Sequence, residues 1–121
     1  MTRVLLADDS GIMRKIIIRS LLSLGINEDN ISEAGDGESA IAAFSPGGFD
    51  LVLTDWNMPK KSGLEVIQAI RQQDAAVPII MITTEGERRR VLEAIEAGVT
   101  DYLVKPFESD ALRAKLEKHG C

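Results

Sequence analysis

Five short apolar runs alternate with segments of helical periodicity, and that alternation leaves few folds open. The runs are "RVLLA" (3–7), "ISEA" (31–34), "DLVLT" (50–54), "PIIMIT" (78–83) and "DYLV" (101–104). The first, third and fourth are apolar at consecutive positions, as strands are when both faces of their sheet are covered. Between the runs the apolar period changes. Met13, Ile16, Ile17, Leu21 and Leu24 recur at helical spacing, Ser10 can cap their helix, and Gly25 stops it. "GESAIAAF" (37–44) reads as a short helix with Ile41 and Phe44 three apart, and Ser62 can cap a helix carrying Leu64, Ile67 and Ile70. Val91, Leu92 and Ile95 mark a fourth helix ending at Gly98, and Leu112 and Leu116 a fifth. Five strand–helix units joined by right-handed crossovers predict an α/β fold, a doubly wound parallel sheet in a three-layer sandwich.

The bulk numbers exclude several classes of function. A chain of 121 residues suits a single domain, 1–121, with a core that needs no disulfide or metal. Its net charge of −5 argues against nucleic acid and anionic lipid as partners of the chain as a whole. The basic run "ERRR" (87–90) is flanked by Glu85 and Glu93 and contains Glu87, so it reads as a solvated helix face or a partner surface. The only cysteine is Cys121, which rules out an internal disulfide and fits a reducing compartment. The first apolar stretch is too short for a signal peptide, and no run approaches the roughly 18 residues of a membrane span. A cytoplasmic protein is expected. The only histidine, His119, excludes histidine-based catalytic arrangements and multi-histidine zinc sites. There is no phosphate-binding G-x-x-x-x-G-K-[ST] loop and no G-x-G-x-x-G after a strand. Any chemistry therefore runs on carboxylates, hydroxyls and lysine.

In parallel α/β sheets ligands gather outside the carboxyl ends of the strands. Strand 1 delivers Asp8 and Asp9 there, strand 3 Asp55, strand 4 Thr83, and strand 5 Lys105 followed by Pro106. Each has a plain structural reading: a helix cap, an acid before the turn at Pro59, a β-branched strand residue, a solvated charge. Taken together they are chemically coherent. Three neighbouring carboxylates repel one another and need a counter-charge. Hard oxygen ligands suit Mg²⁺, and the charges of Asp8, Asp9, Asp55, Mg²⁺ and Lys105 sum to zero. Such a site can bring a phosphoryl group to a carboxylate nucleophile.

The stretches "LLADDS", "LTDWNMP", "MITTEGE" and "GVTDYLVKPF" together resemble the receiver domains of two-component response regulators, in particular the single-domain chemotaxis regulators, over essentially the whole chain. The resemblance implies a flavodoxin-like (βα)5 sheet of order 2-1-3-4-5, in which strands 1 and 3 are neighbours. It implies Asp55 as phosphoacceptor, with Mg²⁺ held by Asp9 directly, by Asp8 through water, by Asp55, and by the backbone carbonyl of Asn57. Thr83 would hydrogen-bond the phosphoryl group, Lys105 would ion-pair with it, and Tyr102 would change rotamer with phosphorylation. Lys105–Pro106 would be a cis peptide. The implied partners are a histidine kinase, a downstream protein (the flagellar motor switch or a phosphotransfer protein) and a phosphatase. The downstream protein would dock on the face of helix 4, strand 5 and helix 5 carrying Arg88, Val91, Tyr102 and Lys115. The chain would act as a monomer without an output domain, and not as a turnover enzyme, although it would assist its own phosphorylation and dephosphorylation. A phosphorelay regulator and the excised receiver of a transcription factor share these motifs. Aspartate-nucleophile phosphatases usually place a second acid two residues after the nucleophile, where Asn57 stands here.

Two departures stand out. Where the family often has Met-Asp-Gly after Met58-Pro59, this chain has Lys61-Ser62-Gly63 preceded by Lys60. Thr84 is bulkier than the alanine often found beside the threonine.

Overall fold

The computed structural model describes residues 2–84, 88–105 and 107–120; for Arg88 and Arg89 it describes the backbone alone. Five strands, β1 (Val4–Ala7), β2 (Ile31–Ala34), β3 (Leu51–Asp55), β4 (Ile79–Thr83) and β5 (Asp101–Val104), alternate with five helices. The helices are α1 (Gly11–Ser23), α2 (Gly37–Ala43), α3 (Gly63–Gln73), α4 (Arg88–Ala97) and α5 (Ser109–Lys118). All strand pairings are parallel, in the order β2-β1-β3-β4-β5. This is the expected flavodoxin-like fold. No helix among the described residues is long and apolar enough to cross a membrane.

The consecutive apolar residues of β1 explain the layering. Side chains alternate across a strand, so Leu5 and Ala7 enter one core and Val4 and Leu6 the other. The first core is closed by Ala40 of α2, Val66, Ile67 and Ile70 of α3, and Ala94 of α4. The second is closed by Ile17 and Leu21 of α1 and by Leu112 and Leu116 of α5. Each fully buried leucine or isoleucine contributes about 1.5–3 kcal/mol by leaving water.

The helix starts follow the expected caps. Ser10 Oγ accepts from the Met13 N–H at 3.2 Å. Ser62 and Glu65 form a reciprocal capping box at the head of α3. Gly25, just past the end of α1, takes the left-handed φ of +91° that favours glycine.

Some expectations need correction. β3 runs one residue further than expected, so Asp55 belongs to the strand itself. α2 ends at Ala43, and Phe44 turns out of it in extended conformation, stacking on Phe49 at 6.0 Å between ring centroids. Ile16 is 47% exposed, because the buried stripe of α1 runs through Ile17 and Leu21. α4 departs most: Leu92 and Ile95 are each 54% exposed, while Ala94 is buried. Its inward stripe is Val91, Ala94 and Ala97, small enough at its centre for the helix to settle close to the sheet. The expected cis bond at Lys105–Pro106 and the acids Glu85 and Glu87 involve residues outside the described ones.

Two glycines fix the loop after β3. The Gly63 N–H donates to the Trp56 carbonyl at 2.7 Å, and a Cβ on Gly63 would run into the Asp55 carbonyl oxygen. A Cβ on Gly37 would run into the Lys61 carbonyl oxygen on the other side of the same loop. Between these approaches Lys60 takes a left-handed φ of +69°. Gly63→Ala should therefore destabilise the protein by on the order of 2–3 kcal/mol, because a backbone atom cannot move aside as a side chain does. Ser62→Ala, which loses only the cap, should cost about 1 kcal/mol. Urea denaturation midpoints of the two variants check both values; a Gly63→Ala midpoint equal to wild type would contradict the packing described.

Candidate functional site

Register brings the acids together. Ala7 of β1 pairs with Thr54 of β3, so the residues that follow, Asp8 and Asp55, leave the sheet at one level. Asp55 pairs with Ile82, which places Thr83 one residue further on, and Thr83 pairs with Val104, which places Lys105 just beyond. The Lys105 N–H donates to the Thr83 carbonyl at 2.6 Å and continues that ladder.

The charges interlock. Asp8 is 1% exposed. Its Oδ1 accepts from the Ser10 N–H at 2.9 Å, and its Oδ2 from Lys105 Nζ at 2.9 Å. Asp55 Oδ1 accepts from the Trp56 N–H at 2.7 Å, and its Oδ2 lies 3.5 Å from the same Lys105 ammonium. Asp9 is exposed. One carboxylate oxygen from each of Asp8, Asp9 and Asp55 falls within 4.8 Å of the others. Burial raises the pKa of Asp55; Lys105 and the Trp56 N–H oppose the rise, while the charge of Asp8 reinforces it. Among the described residues, three carboxylates thus gather beside one buried ammonium. The donor set is all hard oxygen, partly desolvated and short of positive charge, and this fits Mg²⁺ better than a soft metal.

Thr83 is buried at the tip of β4, and Thr84 and Asn57 are exposed. Lys60 and Lys61, where this chain departs from the family pattern, engage carboxylates of their own: Lys60 Nζ lies 4.0 Å from Asp36 and Lys61 Nζ 3.5 Å from Glu65. On the opposite side of the sheet edge, Tyr102 is 37% exposed and Lys115 reaches over its ring. Val91, expected on the partner face, is only partly exposed. It packs against the core, and Leu92 and Ile95 are the α4 residues turned outward. The side chain of Arg88 lies outside the described residues.

Sequence reasoning missed Arg14. Its Nη1 donates to the Asp8 carbonyl at 2.6 Å and its Nε to Glu33 Oε1 at 3.0 Å, tying the loop of acids to α1 and β2. The available signal was a basic residue near a helix N-terminus, where the helix dipole disfavours one.

With this geometry in view, the comparisons define the class. A family model described as response regulator receiver domain matches residues 4–117, and the chain belongs to that family. Chemotaxis protein CheY of Pseudomonas aeruginosa is 40% identical over 118 residues, spanning 96% of this chain and 94% of its own length. Chemotaxis protein CheY-3 of Vibrio cholerae is 42% identical over 118 residues, spanning 96% of this chain and 89% of its own. Among solved structures, the chemotaxis response regulator CheY4 of Vibrio cholerae superposes with a TM-score of 0.84 at 33% identity, covering 98% of each chain. The receiver domain of the Francisella response regulator 1452 gives 0.82 at 26% identity, covering 98% of this chain and 96% of its own.

The raised pKa of Asp55 has a measurable consequence. A carboxyl that holds its proton more tightly when folded than when unfolded stabilises the fold while protonated and opposes it once ionised. Asp55→Asn should therefore raise the thermal midpoint of chelator-treated protein at neutral pH. The gain should fade as the pH falls through the raised folded value toward the ordinary carboxyl value of 3.8, and be absent below it, where both states are protonated. Equal midpoints at neutral pH would show that Lys105 already balances the charge.

Proposed function

We propose that the chain is a cytoplasmic, monomeric signalling module of chemotaxis, in which Asp55 accepts a phosphoryl group from a histidine kinase and thereby changes the chain's affinity for a downstream protein. The observation that carries this reading is the convergence of Asp8, Asp9 and Asp55 around the buried Lys105. The names of the relatives support the chemotaxis role.

In the proposed transfer, a carboxylate oxygen of Asp55 attacks phosphorus, the bond from phosphorus to the donor nitrogen breaks, and that nitrogen leaves with the electron pair. Asp55 is suited to this because β3 and its own bond from the Trp56 N–H fix its position. Lys105 is already within 3.5 Å of the nucleophile and would hold an equatorial phosphoryl oxygen. The Thr83 hydroxyl would donate to another. Asp8, Asp9, Asp55 and the Asn57 carbonyl would hold Mg²⁺. When bound, the metal supplies positive charge that lets the phosphoryl oxygens approach three carboxylates.

The product carries about two extra negative charges at the strand ends. Drawing Thr83 toward them would vacate space behind β4 into which Tyr102 could turn. The partner, a flagellar motor switch or phosphotransfer protein, would read that change on the α4–β5–α5 face. The exposed Leu92, Ile95, Tyr102 and Val104 offer apolar area there, beside Lys115.

Two measurements test the reading. Trp56 is the sole tryptophan and follows the acceptor, so millimolar Mg²⁺ should change its fluorescence. Asp9→Ala should weaken that response at least as much as the roughly tenfold typical of losing a supporting group; a wild-type signal indifferent to Mg²⁺ would count against the metal site. With Mg²⁺ and a small acyl phosphate, intact-protein mass spectrometry should find one base-labile phosphoryl group, absent in Asp55→Asn. Modification that persists in that variant would remove Asp55 as the acceptor.

A further inference from the structure

One cluster of charges plays no part in the proposed transfer. Asp101, the first residue of β5, is almost buried and faces α5. Its Oδ1 accepts from Lys115 Nζ at 2.9 Å, its Oδ2 lies 2.9 Å from His119 Nε2, and Lys118 Nζ stands 3.9 Å away. The Tyr102 N–H also donates to Oδ1, at 2.8 Å. Burial alone would raise the carboxyl, but the bonds from His119, Lys115 and Tyr102 override it and hold the pKa at about 2. Asp101 is therefore a fixed anion at neutral pH.

β5 is an edge strand, hydrogen-bonded only to β4. Asp101 and Leu103 share the face toward α5, and Tyr102 points to the opposite face, as alternation requires. Lys115 comes from the α5 side, yet its ammonium also lies 5.5 Å from the centroid of the Tyr102 ring. It reaches round the open edge and touches both faces, bound to the carboxylate on one and to the aromatic π-system on the other. Its bond to Asp101 anchors the ammonium at the strand edge independently of the ring.

We propose that Lys115, tethered by Asp101, is a latch that holds the Tyr102 ring in its outward position and so sets how readily the phosphorylated state is reached. The inference rests on Tyr102 being the side chain that turns, as proposed above. A contact made only in the resting position biases the equilibrium toward that position by its own strength. An exposed cation–π contact shifts such a population by roughly twofold to fivefold. Lys115 is a positioning residue here; it touches neither the acceptor nor the acids around it.

The test uses the fact that Tyr102 is the only tyrosine and Trp56 the only tryptophan. Replacing tyrosine biosynthetically with 3-fluorotyrosine gives a single fluorine resonance that reports on the ring, while Trp56 fluorescence reports binding at the acids. Wild type, Lys115→Met, Lys115→Arg and Lys118→Met are titrated with beryllofluoride, a phosphoryl mimic, at saturating Mg²⁺. In Lys115→Met the half-saturating concentration should fall by roughly twofold to fivefold, and the resting resonance should move toward its position at saturation. Lys115→Arg, which keeps the cation, and Lys118→Met, which removes a charge not in contact with the ring, should both behave as wild type. Simple loss of a positive charge would weaken binding of an anion, so the direction of the shift separates the latch from general electrostatics. A half-saturation in Lys115→Met that is unchanged or higher would overturn the latch. A wild type whose Trp56 responds while its tyrosine resonance stays still would overturn both the latch and Tyr102 as a switch, leaving the acceptor site standing. Silence from both probes would overturn the acceptor reading and the latch with it.

Discussion

The Lys105 ammonium sits 2.9 Å from Asp8 and 3.5 Å from Asp55, in a place where none of the three is well solvated. Removing Lys105 would leave two partly buried carboxylates without their counter-charge, which costs about 3–5 kcal/mol. The pair is also long-range, joining residues 97 positions apart in sequence. It fastens the end of β5 to the end of β1 across the two strands between them. The site therefore ties the end of β5 to β1 in addition to the ladder that pairs β5 with β4. In the proposed transfer, a phosphoryl group on Asp55 would draw on this same ammonium, and Tyr102 lies on β5 three residues before Lys105. A change of charge at Asp55 would then have a short physical route to the sheet edge, through an ion pair and one strand.

The loop beyond Asp55 shows how firmly this arrangement is held. Gly63 and Gly37 let two helix starts press against its backbone, and each position excludes even a methyl group. Trp56 is buried beneath it, with the guanidinium of Arg90 5.9 Å from its ring. A nucleophile on a free turn would pay for its positioning at every encounter with a donor. For Asp55, the proposed acceptor, that cost would be met in folding.

What the sequence disclosed follows one physical rule. Strands buried on both faces must be apolar at every position, so β1, β3 and β4 were legible, and a parallel sheet fixes which of their ends carry the acids. Asp8, Asp9, Asp55, Thr83 and Lys105 were found because position along a strand is enough to place them. Side-chain direction on helices was less accessible. In α4 the larger apolar residues Leu92 and Ile95 pointed to the wrong face, because the helix packs by its small residue, Ala94. Arg14 and Asp101 escaped notice for a related reason. Their partners, the Asp8 carbonyl and Glu33 for one, Lys115 and His119 for the other, are set by how helices dock, and no spacing in the chain records it.

The magnitudes explain why a module of this kind can be both stable and switchable. An allosteric coupling is typically about 1–3 kcal/mol, while leaving the buried carboxylates without Lys105 would cost about 3–5 kcal/mol. A switch that had to break the Lys105 pair would threaten the fold, so the movable parts must be weaker than the fixed ones. The surface at β5 meets that condition. Tyr102 is part-exposed on an edge strand, Leu92 and Ile95 of α4 are half exposed, and the cation over the ring is held by a carboxylate of the same strand. An exposed cation–π contact of about 0.5–1 kcal/mol can be lost or regained without disturbing either core. In the proposed switch the strong interaction would locate the chemistry and the weak one would report it, because β5 carries Tyr102 and leads directly into Lys105.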